Sequence, residues 1–322
     1  MTRRTVASLR GVAPILLAAG VLAGCSGPEA DPSQGADQGD AGAPTGNFRG
    51  RSYERNFVFT NISGDSALMI PWLTTSQTRP GAVDRRVRGF LFRGGNWDPF
   101  YDEAWETAPT RAPWRILPHD HFHLIVGQAD AVDAISYDDG VRQLDLEMGQ
   151  AIGEWTGSRG QTFRIQIANM VLSDQRVRGM MMEMARTHTA DGPPPGDWAF
   201  LVSGDSLQVV LEGSETHSVI TAGSYQGWGS LDGQSLQWPS MNLEWADVGA
   251  FQPARQDVPV AWRLSTQDNS ISGRFEVRSA HIVAGEGAGP VLPVDALYQV
   301  DGRITVAGRN YPVRGLVRHT RP

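Results

Sequence analysis

The sequence is poor in reactive side chains, because it contains a single cysteine, Cys25, and no lysine. One cysteine excludes a disulfide within the chain and any zinc site built from several cysteines. The lack of lysine excludes a Schiff base on a lysine amine. Neither a Gly-x-Ser-x-Gly motif nor a phosphate-binding loop is present, so we expect the protein to work without a cofactor.

An excess of basic residues is also lacking. The 322 residues include 28 basic and 35 acidic side chains, and the formal net charge is −7. An acidic protein repels both the phosphate backbone and anionic lipid. We therefore expect no nucleic-acid partner and no attachment to a membrane through charge.

Long apolar runs are absent as well. The run from Gly11 to Leu22 has 12 residues, whereas a transmembrane helix needs about 20. It follows a basic start that includes Arg3, Arg4 and Arg10. A basic start, a short apolar run and a small-residue cleavage site are typical of a secretory signal.

The residues that end this run, Leu22-Ala23-Gly24-Cys25, resemble the lipobox of bacterial lipoproteins. The resemblance implies cleavage before Cys25 and diacylation of its thiol, and two acyl chains anchor a protein stably. By the same resemblance, Ser26 favours the periplasmic face of the outer membrane in a bacterium with two membranes. We expect an extracytoplasmic protein whose membrane partner is reached through Cys25.

The next segment changes composition. Residues 26–50 are mostly Gly, Ala, Asp, Gln, Pro and Ser, which cannot bury enough apolar surface to fold. A second break is the proline run Gly192–Gly196, which cannot lie in a central strand. We therefore predict a signal peptide at 1–24, a lipidated cysteine and tether at 25–50, and β-barrels at 51–195 and 196–322.

Between these breaks the apolar residues recur with a period of two, as they do in half-buried antiparallel strands. Turn residues separate the runs, so the pattern predicts an all-β barrel or sandwich. The single segment that we interpret as a candidate helix is Asp98 to Thr107. The clearest predicted strands are Gln143–Met148, Thr162–Met170, Ser206–Glu212, Val258–Leu264 and Ile271–Arg278.

The C-terminal part resembles the tandem lipocalin-like family that includes the carotenoid 1,2-hydratases, or hydroxyneurosporene synthases. The matching segments are Val258–Leu264, Ile271–Val277, Leu297–Gly302 and Val313–Val317. Leu316-Val317-Arg318 replaces the Gly-Tyr and the acid of the family's last strand, so no catalytic residue is carried over. The resemblance implies two adjoining antiparallel lipocalin-like β-barrels, with an apolar cavity in one barrel or between them.

Three histidines form the sharpest local cluster. His119, His121 and His123 have a spacing of two, so on a strand they would share one face, about 6.5–7 Å apart. Two such imidazoles, above all His121 and His123, could bind one metal ion. The alternative is a polar strand face without metal.

Methionines form a second cluster. On a strand Met180, Met182 and Met184 would face one way, either as plain core or as the wall of an apolar cavity. Glu183 would face the other way, and burial would make it a candidate acid. Glu244 and Asp247 are the other acids beside apolar or aromatic residues.

The chain has ten tryptophans, and a cluster of them at a barrel mouth would suit a long apolar ligand. Together with the histidines and methionines they give a predicted set of ligand contacts. The members of this set are His119, His121, His123, Met182, Trp228, Trp245 and Trp262.

Four functions remain open at this point. The first is a lipid-anchored protein that binds a hydrophobic small molecule, such as a lipid or an isoprenoid, in a lipocalin-like cavity. The second is a cofactor-independent hydratase or cyclase that acts on a polyene by acid catalysis. The third is metal-dependent chemistry at the histidines. The fourth is a structural lipoprotein of the cell envelope, whose protein partner the sequence does not identify.

Overall fold

The computed structural model describes residues 50–64, 66–189, 196–213 and 223–321. Cys25, the signal peptide, residues 25–49 of the tether and most of the proline run lie outside the described residues. In the described ranges the chain forms 17 strands and two short 3₁₀ turns, Gln128–Asp130 and Gln252–Ala254. None of the helical segments described is long and apolar enough to cross a membrane.

The first nine strands form one antiparallel sheet in the order β4-β3-β2-β1-β9-β8-β7-β6-β5. This sheet curls into a half-barrel, which we call the open barrel. Its strands are β1 Arg51–Asn61, β2 Leu68–Arg79, β3 Ala82–Arg93, β4 Asn96–Thr107, β5 Phe122–Val126, β6 Val132–Asp138, β7 Gln143–Thr156, β8 Thr162–Leu172 and β9 Gln175–Thr189.

The last eight strands form a closed antiparallel barrel, in which β10 pairs with both β11 and β17. The prediction of an all-β fold with two adjoining lipocalin-like barrels is confirmed. The strands are β10 Trp198–Ser203, β11 Leu207–Gly213, β12 Gly223–Leu231, β13 Gln234–Phe251, β14 Gln256–Ser265, β15 Ile271–Ala284, β16 Val294–Val306 and β17 Arg309–Arg321.

Local sequence explains much of this architecture. The period-two segments lie within strands, except that Ser206 precedes β11; in β8, for example, Phe163 and Ile165 are buried on one face. Asp232-Gly233 connects β12 to β13, and both residues have positive φ, +49° and +80°. A two-residue hairpin with that backbone matches the right-handed twist of its strands, which is why Asp-Gly occurs there.

The predicted helix at Asp98–Thr107 is wrong, because these residues belong to β4. The strand pairs with β3 from Asn96 to Thr107. Its proline, Pro99, lies on an edge strand and next to a bulge at Phe100, where a missing backbone donor is tolerated. Pairing with β3 thus decides the conformation of a segment in which apolar and polar residues alternate only weakly.

Apolar side chains gather in three places. One cluster fills part of the interior of the open barrel and includes Trp72, Tyr101, Phe122 and Tyr137. A second fills the closed barrel. The third lies between the two barrels and contains Met180, Met182, Met184, Phe163, Trp198, Phe200 and Trp228.

Side chains bridge the gap between the edges of the open barrel. The Tyr101 hydroxyl on β4 donates a hydrogen bond to the His119 carbonyl, at 2.8 Å. Arg142, after β6, forms an ion pair of 2.5 Å with Asp98 on β4. Two edges that would otherwise expose unpaired backbone are therefore held together without a continuous ladder.

Candidate functional site

A concave pocket of about 630 Å³ opens at the end of the open barrel where β1 and β8 begin and β7 and β9 end. A volume of this size accommodates a small organic molecule. Strand residues form its wall, and two residues from loops lie across it. The lining residues that matter below are Tyr53, Arg55, Glu154, Arg164 and Glu183 from strands, and Trp114 and Asp130 from loops.

Four charged side chains, which we call the charge row, cross this wall with alternating sign. Glu154 on β7 lies opposite Arg164 on β8, and Arg164 lies opposite Glu183 on β9. Arg55 on β1 is the diagonal neighbour of Glu183, because its own partner is Ala185. The ion pairs are 2.7 Å for Arg164–Glu154 and 2.6 Å for Arg55–Glu183.

Glu183 is the most enclosed acid of the charge row, with a side chain that is 12% exposed. Its Oε1 accepts a hydrogen bond of 2.7 Å from Arg55 Nε. Its Oε2 is buried and has no hydrogen-bond partner among the described residues. A buried acceptor without a partner costs free energy, about 1–3 kcal/mol, which a donor on a ligand would recover.

A loop is fixed over the pocket mouth by Arg85, whose guanidinium is buried. Arg85 donates hydrogen bonds to the Arg115 carbonyl at 2.6 Å and to the Pro113 carbonyl at 3.3 Å. Burial lowers the pKa of Arg85 from its ordinary value. Between these anchor points Trp114 stays 45% exposed, and its ring lies 6.2 Å from that of Tyr53. The pocket therefore has an aromatic rim above a charged wall.

The second loop is tied directly to the charge row. Arg55 Nη2 donates a hydrogen bond of 2.5 Å to the Asp130 carbonyl. The Asp130 carboxylate forms an ion pair of 3.0 Å with Arg115, and this ion pair connects the two loops. Arg55 thus positions Glu183 and the rim at once.

The expected histidine face does not form. His119 and His121 precede β5, and Asp120 between them has a φ of +51°, which breaks the alternation of a strand. His119 stacks on Trp105 at 4.1 Å, and His121 Nε2 lies 3.3 Å from Asp120. His123 is exposed on β5. Among the described residues no three His, Cys, Asp or Glu side chains form a group that could hold a metal ion.

The three candidate acids lie in different surroundings. Glu183 lines the pocket, as described. Glu244 on β13 is exposed and lies 3.8 Å from Arg263. Asp247, also on β13, is exposed and accepts a hydrogen bond from the Val248 backbone at a bulge.

The remaining residues of the predicted ligand set do not meet in one cavity. Met182 and Trp228 lie between the barrels, where Trp228 stacks on Phe163 at 4.4 Å. Trp262 is fully buried inside the closed barrel, and Trp245 is half-buried against the same interior cluster.

Four residues of the pocket were not predicted as site residues: Tyr53, Arg55, Trp114 and Arg164. The signal that could have found them was the charge on the inward face of β8 and β9, where Arg164 and Glu183 lie opposite each other.

The closed barrel contains a buried acid–base pair that the sequence did not predict. His319 Nδ1 on β17 lies 2.7 Å from Asp197 Oδ2, and both side chains are almost fully buried. His319 Nε2 and the Tyr298 hydroxyl have no hydrogen-bond partner among the described residues. Burial, and then the charge of Asp197, raise the pKa of Tyr298 above its ordinary value.

No family model and no curated protein matches the sequence. Among solved structures, a protein of Nitrosomonas europaea described as AttH is 8% identical, with 90% of this chain and 98% of that chain covered and a TM-score of 0.55. CghA with Sch210972 is 12% identical over 83% and 87%, with a TM-score of 0.51. Kievitone hydratase from Nectria haematococca is 10% identical over 84% and 88%, with a TM-score of 0.48.

At these identities the likeness to AttH and CghA concerns the fold. It extends over most of each chain and therefore includes both barrels. The chain has the fold of two adjoining lipocalin-like β-barrels.

Proposed function

We propose that the open barrel binds a hydrophobic small molecule that carries one hydrogen-bond donor, such as an isoprenoid alcohol. The observation that carries this proposal is Glu183 Oε2, a buried acceptor in the wall of a 630 Å³ pocket that has no hydrogen-bond partner in the part of the chain that the structure describes. A ligand hydroxyl donating to this carboxylate would form a charge-assisted hydrogen bond.

The rest of the pocket supports an amphipathic ligand. Trp114 and Tyr53 offer aromatic faces at the mouth for an apolar body. Arg55 and Arg164 are already paired with the carboxylates of Glu183 and Glu154. The charge row therefore does not favour an anionic ligand. These contacts favour a neutral ligand with a polar end.

We propose further that the protein acts outside the cytoplasm, attached to a membrane through lipidated Cys25 and the tether. This part of the proposal depends on the lipobox resemblance. Mass spectrometry of the N-terminal peptide from the protein expressed in bacteria would test it. A diacylated Cys25 supports the anchor, and an intact residue 24–25 bond excludes it.

Binding is tested with retinol, a fluorescent isoprenoid alcohol, and its methyl ether, which lacks the donor. We expect retinol to quench tryptophan fluorescence on binding and to bind about tenfold more tightly than the ether, because a hydrogen bond to a charged group contributes about 1.5–3 kcal/mol. Glu183→Gln should remove most of this preference.

Glu154→Gln is the matched control, because Glu154 is the exposed end of the same charge row. It should leave the preference for retinol unchanged. Equal affinity for retinol and its ether in the unmodified protein would refute the proposal.

A second candidate function is acid–base chemistry, such as addition of water to a polyene. The observation that favours it is the Asp197–His319 pair, in which Asp197 holds Nδ1 of the imidazole and Nε2 has no hydrogen-bond partner among the residues described. Hydration places a proton on one carbon and a hydroxyl on the next, and His319 could transfer that proton. A product 18 Da heavier from neurosporene, lost in His319→Gln, would support this function; no such product would exclude it for this substrate.

A further inference from the structure

A second cavity lies between the two barrels, well away from the charge row. It has a volume of about 410 Å³. Strands β3 and β4 of the open barrel form one side, with Arg88 and Phe90. Strands β15 and β16 of the closed barrel form the other, with His281, Val283 and Asp295. We call this cavity the inter-barrel cleft.

Two guanidinium groups share a single carboxylate at this cleft. Arg88 Nη1 lies 2.7 Å from Asp295 Oδ2, and Arg318 Nη2 lies 3.4 Å from the same oxygen. Burial, followed by repulsion from Arg318, lowers the pKa of Arg88. The Arg318 side chain is 9% exposed, and its Nη1 is buried without a hydrogen-bond partner among the described residues.

The neighbouring charges form ion pairs of their own. Arg86 on the rim of the cleft is paired with Asp102 at 2.7 Å. Glu54, which interacts electrostatically with Arg318, is bound to Arg186 at 2.6 Å, and Arg186 also lies 3.6 Å from Glu212. Taken by itself, the Arg88–Asp295–Arg318 group has two guanidinium groups for one carboxylate.

The other walls of the cleft are apolar or uncharged. The His281 ring lies 5.2 Å from the ring of Phe90. Burial lowers the pKa of His281, which favours the neutral form of its imidazole. Val283 and Pro293 complete an apolar surface beside the arginines.

We propose that the inter-barrel cleft is a second ligand site, which takes an amphipathic molecule with a carboxylate group. The carboxylate of the ligand pairs with Arg88 and is attracted by the positive charge of Arg318. The hydrocarbon chain packs against Phe90, Val283 and Pro293. This site is independent of the binding proposed for the open barrel.

The test is calorimetric titration of the full chain with dodecanoate and with methyl dodecanoate, which has neither the charge nor a hydrogen-bond donor, both below their aggregation concentrations. We expect dodecanoate to bind at least tenfold more tightly, because a charge-assisted hydrogen bond replaces a neutral one. Arg88→Gln should weaken dodecanoate about tenfold. Asp295→Asn should strengthen it severalfold, since the competing carboxylate is removed.

The opposite signs of these two variants separate ligand binding from a purely structural role. Arg263→Gln, on the outside of the closed barrel, is the matched control and should change nothing. Glu183→Gln should also leave dodecanoate binding unchanged, which assigns this ligand to the cleft and not to the open barrel. The proposal is overturned if methyl dodecanoate binds as well as dodecanoate to the unmodified protein, or if Asp295→Asn weakens dodecanoate binding as Arg88→Gln does.

Discussion

The two barrels share a fold but differ in how their interiors are used. The closed barrel is filled by large side chains, with Trp262 stacked on Phe275 and in edge contact with Tyr298. In the open barrel an aromatic cluster around Trp72 fills one part of the interior, and the end of β1, β7, β8 and β9 is left as a pocket. The interior of the closed barrel is thus packed with side chains, whereas part of the interior of the open barrel is a pocket.

The two barrels also differ in closure. The closed ladder of eight strands satisfies its own edges, and large side chains fill its interior. The open barrel ends at β4 and β5 and depends on side-chain bridges such as Tyr101 to the His119 carbonyl. The long segment between β4 and β5 supplies Trp114 to the site, and the short connection between β5 and β6 supplies Asp130.

The largest effect is expected for a large-to-small change in the closed barrel. Trp262→Ala should lower the free energy of unfolding by about 3–5 kcal/mol, because it removes a fully buried side chain and leaves a cavity. Urea unfolding followed by circular dichroism measures this. A loss below about 1 kcal/mol would mean that the closed barrel is not the packed core described above.

A second prediction concerns the charges that join the barrels. Glu54 on β1 binds Arg186, which also reaches the Gly196 carbonyl and lies 3.6 Å from Glu212 on β11. Burial alone would raise the pKa of Glu54, but Arg186 and Arg318 bring it below its ordinary value of 4.5.

Because the folded pKa is lowered, the stabilisation by Glu54 is present above pH 4.5 and is lost as the pH falls through the folded pKa. Glu54→Gln should therefore be less stable than the unmodified protein at pH 7. The gap in urea unfolding free energy should narrow steadily as the pH is lowered below 4.5. A gap that stays constant with pH would contradict this linkage.

Much of the fold could be predicted because strands carry a local signal. Alternation in segments such as Thr162–Met170 reports burial on one face, and this requires no knowledge of distant partners. The segment Asp98–Thr107 failed because its strand conformation depends on pairing with β3. Closure of one barrel and opening of the other likewise depend on contacts far apart in sequence.

The site was less accessible to prediction. Glu183 was identified as a candidate because a charged residue lay among methionines. Its partner Arg55 is 128 residues away, and no local pattern connects the two. Histidine spacing was misleading because one left-handed residue, Asp120, turns the chain between His119 and His121.

A third prediction compares two tyrosines, one from each barrel. Tyr101→Phe should cost about 0.5–1.5 kcal/mol of unfolding free energy, since the hydrogen bond that bridges the edges of the open barrel is lost. Tyr298→Phe in the closed barrel is the matched control. Its hydroxyl has no hydrogen-bond partner among the described residues, so removal should be neutral or slightly stabilising. Equal losses in both variants would show that the bridge contributes nothing specific.

The smallest effect on stability is expected at the pocket mouth, where Trp114 is 45% exposed. Trp114→Ala should change the unfolding free energy by no more than about 0.5 kcal/mol, as surface substitutions do. It should nevertheless weaken retinol severalfold in fluorescence titration, because the aromatic face at the rim is removed. Val248, equally exposed on the closed barrel, gives the control Val248→Ala, which should alter neither quantity. If Trp114→Ala lowered the free energy of unfolding as much as Trp262→Ala, Trp114 would be part of a packed core. The contrast between the packed closed barrel and the pocket of the open barrel would then not hold.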